Sequence, residues 1–150
     1  MTTKAAIEGF MSQQVLAVAG VSRAPRKFGN AVYRDLRARG YRVLAINPNA
    51  QTIEGDSCYP SLKALPEKVG GLVAVTQPAV TEQLVREATD LGIRHVWLQQ
   101  GSESDDAVQF CQEHGINVVV GECIMMYQPN PSFVHKAHKF FKELFGGKPE

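Results

Sequence analysis

The chain has 150 residues, 44% of them hydrophobic and 21% charged, with a formal net charge of +1. That length suits a single domain, residues 1–150, able to bury roughly 70% of its unfolded surface without disulfides or metals. The balanced charge excludes the broad basic footprint of a nucleic-acid-binding protein, and no apolar run approaches the ~20 residues that would span a bilayer.

The opening stretch, MTTKAAIEGFMSQQ, has no apolar segment followed by a cleavage site. Thr3 to Ser12 reads as a short amphipathic helix with Ile7, Phe10 and Met11 on one face. Val15 to Ala19 is unbroken apolar, as a strand covered on both faces requires. Gly20 ends it, a basic loop follows, and a helix opens near Phe28 or Gly29 and runs to about Arg39, with Gly40 as its stop. Tyr41 to Ile46 is the second strand, closed by Asn47-Pro48-Asn49. Ala50 to Ser57 reads as a connector with a turn at Gly55-Asp56. After it, Cys58 to Leu62 reads as a short extended piece, with Ser61 placed to cap a one- or two-turn helix reaching about Leu65.

Gly71 to Thr76 is the third main strand, broken by Gln77-Pro78, and Val80 to Leu91 is a helix with Leu84, Val85, Ala88 and Leu91 at helical spacing. His95 to Leu98 is the next strand, with Trp97 read as core. Ser102 is expected to cap the following helix, with Glu103, Asp105 and Asp106 in its first turn. Asn117 to Val120 is the last strand. A final helix over about 132–146 carries Phe133, Val134, Ala137, Phe140, Phe141, Leu144 and Phe145 on one stripe. That stripe either docks on the sheet or supplies a homodimer interface.

Strands alternating with helices predict an α/β, Rossmann-like three-layer domain: a mostly parallel sheet of about five strands with helices on both faces. Ligands bind such sheets beyond the carboxyl ends of the strands. Here those ends are Gly20-Val21-Ser22, Asn47-Pro48-Asn49, Val75 to Pro78, Gln99-Gln100-Gly101 and Gly121-Glu122-Cys123.

The loop after the first strand is not a dinucleotide fingerprint, because Ser22 stands where GxGxxG needs its second glycine, and no P-loop pattern is present. The second strand ends in Asn47 rather than the acid that holds a ribose, and no acid follows until Glu54. The loop instead offers Ser22, nearby backbone amides and three cations, Arg23, Arg26 and Lys27, before a helix N-terminus headed by Gly29 and Asn30. A solvated basic loop is the plain alternative. Its place between a buried strand and a helix start favours binding of more than one phosphate.

From Gln14 to Cys123 the chain resembles the small coenzyme A-binding proteins, whose domain is similar to the N-terminal CoA-binding domain of succinyl-CoA synthetase alpha subunits. The stretches that carry the resemblance are AGVSRAPRKFGNAVYRDLRARGY, VLAINPNA, IEGDSCYPSL, LGIRHVWLQQGSES and GINVVVGECIM. The resemblance implies that Gly20, Val21 and Ser22 hold the pyrophosphate and that Arg26 or Lys27 approaches a phosphate. It places Asn47, Pro48 and Asn49 by the adenosine, Val75, Thr76 and Pro78 along the adenine or pantetheine, and Gln100 and Gly101 near the pantetheine path. The family often has arginine after the third strand and lysine after Asn-Pro, where this chain has Thr76-Gln77-Pro78 and Asn49. Arg23, Arg26 and Lys27 are then left to neutralise the phosphates.

Cys123 ends the last strand on the ligand side and is counted with the site. It reads as a packing residue, with a mixed disulfide to a CoA thiol as the reactive alternative. Cys123, His135 and His138 match no standard zinc spacing, and no metal is assigned. No serine–histidine–acid set or carboxylate pair falls at a strand end. The expected function is binding of CoA or an acyl-CoA as a non-catalytic carrier, sensor or regulatory module. A small nucleotide- or CoA-dependent transferase or oxidoreductase, with Cys123 or a histidine reactive, is the alternative. Three cysteines without CxxC spacing and no leader pattern indicate a soluble, cytoplasmic protein with neither membrane nor nucleic-acid partners.

Overall fold

The first strand, β1 (Val15–Ala19), is buried along nearly its whole length in a computed structural model that describes residues 2–127. Its side chains alternate between two cores. Leu16 and Val18 join Phe10, Val32, Leu36, Val73 and Trp97 on one face, while Ala17 and Ala19 join Leu72, Ala74, Leu84, Val85 and Leu98 on the other. The helices α1 (Lys4–Met11) and α2 (Phe28–Ala38) supply the first core. The second is covered by α3 (Pro78–Asp90) and α4 (Asp105–Glu113). A continuous apolar run is what two covered faces demand.

Around β1 lie β2 (Arg42–Ile46), β3 (Thr52–Ile53), β4 (Asp56–Tyr59), β5 (Gly71–Ala74), β6 (His95–Leu98) and β7 (Asn117–Val120). The spatial order is β3-β4-β2-β1-β5-β6-β7, parallel except for the β3–β4 hairpin. The expected Rossmann-like architecture is present, with seven strands rather than about five. The two extra strands come from the stretch read as a connector and the extended piece that follows it. Its turn lies at Glu54-Gly55, both with positive φ, one residue earlier than expected. Pairing of Cys58 and Tyr59 with Ala45 and Ile46 makes the second arm an extension of the sheet.

Two caps also differ from expectation. Ser104, not Ser102, caps α4, its hydroxyl accepting from the Ala107 amide at 3.0 Å, with Asp105 and Asp106 in the first turn. Ser102 is buried and instead accepts from the Thr76 amide at 3.0 Å. Ser61 precedes a short 3-10 turn at Leu62–Ala64 without a side-chain capping bond. The expected helix over 132–146, and with it the phenylalanine stripe, lies outside the described residues.

Sequence order and spatial order diverge at β1, which has β2 on one side and β5 on the other. That divergence sets the crevice of the sheet. Here the chain passes very close to itself. A Cβ built at Gly20, whose φ is +106°, would lie 2.0 Å from the Val75 carbonyl oxygen, and one at Gly29 would lie 2.2 Å from the Gly20 carbonyl oxygen. Glycine at both positions lets the first turn of α2 sit directly on the end of β1.

At the opposite end, Thr3 caps α1, and Phe10 meets Trp97 edge-on with ring centroids 5.4 Å apart. Asn117 donates to the Ala6 carbonyl at 2.9 Å and to His95 Nδ1 at 3.0 Å. Burial, helped by the charge of Arg94, pushes the His95 pKa below its ordinary 6.5.

Two outcomes are expected. Gly29→Ala gains about 1 kcal/mol of helix propensity but loses more than about 2 kcal/mol to overpacking against backbone. Its thermal midpoint therefore falls by several degrees; an unchanged midpoint would show that strand and helix can separate. Because the folded state binds the His95 proton less tightly than the unfolded chain, the His95 contribution to stability is fully present above pH 6.5 and is lost as pH falls through 6.5 toward the lower folded-state pKa. Melting curves across that window should show the decline in the wild type and a smaller one in His95→Gln.

Candidate functional site

The carboxyl ends of β1, β2, β5, β6 and β7 form one edge of the sheet. The loop from Ser22 to Lys27 rises from the middle of that edge. Arg23, Arg26 and Lys27 are all exposed, and none of them enters a salt bridge among the described residues. The N-cap of α2 is Lys27, with no side-chain capping bond and no acidic residue in the first turn. The amides of Phe28 and Gly29 open the helix, where no intrahelical carbonyl can accept from them. A positive helix end with no acid of its own in the first turn, flanked by three cations, is suited to an anion. Phe28 is 48% exposed beside them.

The backbone of this loop is held by its own side chains. Buried Asn30 accepts from the Ser22 amide at 2.9 Å and donates to the Ser22 carbonyl at 2.8 Å. The Ser22 hydroxyl accepts from the Ala24 amide at 3.0 Å, and the Lys27 amide donates to the Ala24 carbonyl at 3.1 Å. Val21 is buried, and its carbonyl accepts from Asn47 Nδ2 at 2.9 Å, joining the loops after β1 and β2. Asn47 also accepts from the Asn49 amide at 2.7 Å, while Pro48 and Asn49 are exposed. Gly20, Val21, Ser22, Asn30 and Asn47 therefore form the frame of the loop. Gly29 faces the Gly20 carbonyl.

On the other side of the crevice Val75, Thr76 and Pro78 are half-buried where β5 passes into α3. The Thr76 hydroxyl lies 2.7 Å from that of buried Thr81. Gln100 and Gly101 are exposed after β6; Gln100 donates to the Gly121 carbonyl at 3.3 Å, and the Gly101 amide donates to Glu103 at 2.9 Å. Cys123 is half-buried beyond β7, whereas Cys58 and Cys111 are buried. Burial pushes the Cys111 thiol up to about 11 and raises that of Cys58. His135 and His138 lie outside the described residues. Among those residues, no helix is long and apolar enough to cross a membrane.

Two features escape a reading by motif. Gln99, buried after β6, accepts from the Ile124 amide at 3.1 Å and fixes the chain beyond β7. Glu54, on the hairpin turn, accepts from Asn30 Nδ2 at 2.9 Å and from Arg34 Nη1 at 2.6 Å. A polar residue directly after an apolar strand could have signalled the first. Only the tertiary fold reveals the second.

Residues 14–129 match the family model described as a CoA binding domain, a stretch that takes in every described strand and helix from β1 onward. An ADP-forming acetate–CoA ligase I of Archaeoglobus fulgidus is 25% identical over 130 residues, covering 80% of this chain and 19% of that protein. The alpha subunit of an ADP-forming acetate–CoA ligase II of Pyrococcus furiosus is 22% identical over 129 residues, covering 79% of this chain and 28% of that one. This chain thus spans 19% and 28% of the lengths of these two curated relatives. The solved structure of a conserved hypothetical protein from Pyrococcus furiosus superposes with a TM-score of 0.71 at 38% identity, over 75% of this chain and 97% of that one. With the fold, the strand-end loops and the family model in agreement, the chain belongs to the CoA-binding domain family.

Proposed function

We propose that this chain binds coenzyme A or an acyl-CoA along the carboxyl edge of its sheet, as a cytoplasmic carrier, sensor or regulatory module without catalytic residues of its own. The observation that carries the reading is the start of α2, with no side-chain cap and no acid of its own in the first turn, beside Arg23, Arg26 and Lys27, three exposed cations with no ion-pair partner among the described residues. CoA is a polyanion with phosphates at two places on its nucleotide. One helix N-terminus contributes ~0.3–1 kcal/mol toward an anion at an exposed site, so a cluster of cations is needed to hold several charges. The adenosine lies by Asn47, Pro48 and Asn49, and the pantetheine arm runs past Val75, Thr76 and Pro78 toward Gln100 and Gly101. Membership of the CoA-binding domain family and likeness to proteins named acetate–CoA ligases support the ligand class.

A second reading rests on Cys123, the one cysteine of the three that is not buried, at the carboxyl end of β7. As a thiolate it would attack the disulfide of CoA disulfide, forming a protein–CoA mixed disulfide and releasing CoA thiolate. Mass spectrometry after incubation with CoA disulfide separates the readings: an adduct on Cys123 favours the reactive one.

Calorimetric titration with CoA, dephospho-CoA, NAD and ATP tests the leading proposal. CoA should bind most tightly. Replacing Arg26 and Lys27 together by alanine should weaken it by about 10–100-fold, as loss of two charge-assisted contacts predicts. Heat with NAD and none with CoA would overturn the ligand. An unchanged affinity in the double variant would remove the loop from the phosphate site.

A further inference from the structure

Glu54 occupies a position that its own backbone does not favour. It has φ +55° and, with Gly55 at φ +79°, forms the two-residue turn of the β3–β4 hairpin. Such a turn needs positive φ at both central residues and is best served by asparagine followed by glycine. Among the described non-glycine residues, Glu54 alone has positive φ. Turn geometry therefore gives no reason for a glutamate, and the reason must lie in its side chain.

That side chain leaves the hairpin and reaches α2. One carboxylate oxygen, Oε2, accepts from Asn30 Nδ2 at 2.9 Å and from Arg34 Nη1 at 2.6 Å. Each of these partners also grips the basic loop. Asn30 binds both the amide and the carbonyl of Ser22 at the loop's start, and Arg34 Nη1 donates to the Pro25 carbonyl at 3.1 Å in its middle. A single oxygen thus gathers the two side chains that hold successive parts of the Ser22–Lys27 backbone. It is also sheltered: the Glu54 side chain is only 13% exposed, so its ion pair with Arg34 is screened less than the open Arg37–Asp56 pair beside it.

We propose that Glu54 is a positioning residue for the phosphate loop, holding its backbone in the binding-ready shape through Asn30 and Arg34. The proposal rests on the CoA reading for the identity of the ligand, but not for the state of the empty loop. Ordering the loop before the ligand arrives removes that ordering cost from binding. The carboxylate does so without repelling phosphate at close range, because Arg34 neutralises it.

Glu54→Asn isolates this role, since asparagine suits the turn better than glutamate but is too short to reach Asn30. Glu54→Gln keeps an acceptor for Asn30 and removes the charge that pairs with Arg34. Three readouts apply to the full chain: thermal midpoint, amide hydrogen exchange at Ser22, Arg23, Ala24, Arg26 and Lys27 without ligand, and CoA affinity. In Glu54→Asn the midpoint should hold or rise, loop exchange should speed up about tenfold or more, and CoA should bind about 5–20-fold more weakly. Glu54→Gln should fall between this variant and the wild type in both exchange and affinity. Wild-type loop exchange in Glu54→Asn would overturn the proposal. So would a drop in midpoint that accounts for the affinity loss in both variants, since Glu54 would then be a fold residue only. If the wild type itself ignores CoA, the ligand reading fails, and the exchange data still decide the role of Glu54.

Discussion

Absence of side chains at two positions, Gly20 and Gly29, lets α2 begin on top of the strand it follows. The Gly20 carbonyl occupies the space that a Cβ of Gly29 would need, and the Val75 carbonyl occupies the space that a Cβ of Gly20 would need. Three pieces of backbone therefore meet at the point where β1 lies between β2 and β5. The positive end of α2 is fixed at the crevice of the sheet rather than beside it. The loop has only residues 22–27 in which to leave the strand and return, so its polar groups are forced into a small volume above the edge. The location of the loop and the crowding of its polar groups follow from that one close approach.

The bracing is supplied by the β3–β4 hairpin at the edge of the sheet, which also gives Ile53 and Cys58 to the core. Asn30, Tyr33, Arg34 and Arg37 follow one another at helical spacing along α2 and form a polar stripe. The hairpin turned at Glu54-Gly55 meets this stripe with two acids. Glu54 takes Asn30 and Arg34, and Asp56 takes the Tyr33 hydroxyl at 2.7 Å together with Arg37. Burial and the neighbouring Asp56 carboxylate hold the Tyr33 hydroxyl well above the usual tyrosine pKa, so it remains a donor. Arg34 and Arg37 thus act as fasteners between helix and sheet edge. At the far end of α2, Arg39 pairs with Asp35 at 3.1 Å and donates to the Met125 carbonyl at 2.6 Å, tying the segment beyond β7 to the same helix.

What could be read in the sequence was whatever local pattern decides alone. The apolar runs of β1, β6 and β7 give their exact spans, and Phe10, Met11 and Trp97 declare themselves as core. The first arm of the hairpin was illegible because Thr52–Ile53 is too short for any period and gains its identity only by pairing. Ser102 and Ser104 are equally good capping types. The choice between them falls to a tertiary partner, the Thr76 amide, which engages Ser102. The site shows the same limit. Ser22, Asn30 and Asn47 announce themselves as hydrogen-bonding groups near a strand end, but a sequence lists donors and acceptors without saying which are already paired. Glu54 is 24 residues from Asn30, and nothing local points to their contact.

That pairing determines what kind of anion site this is. The Ser22 amide and hydroxyl are engaged within the loop and its Asn30 brace, so they serve its shape before they serve a ligand. On the proposed CoA reading, the groups left to meet a phosphate are the first amides of α2 and three long cationic side chains. Each lysine or arginine carries ~2 kcal/mol of rotamer entropy that a phosphate bound there would have to offset, whereas the backbone beneath them is hydrogen-bonded to Asn30 and Arg34. The ordering cost is thereby confined to the side chains. Cations on mobile stems around a fixed helix end attract an anion over a Debye length, ~8 Å at physiological ionic strength, and then adjust to where its charges lie. Such a site favours fast, salt-sensitive capture of polyphosphates of more than one shape. On the same proposed reading, selectivity for the rest of the ligand would be left to the loops after β2, β5 and β6, which share the carboxyl edge of the sheet with this loop.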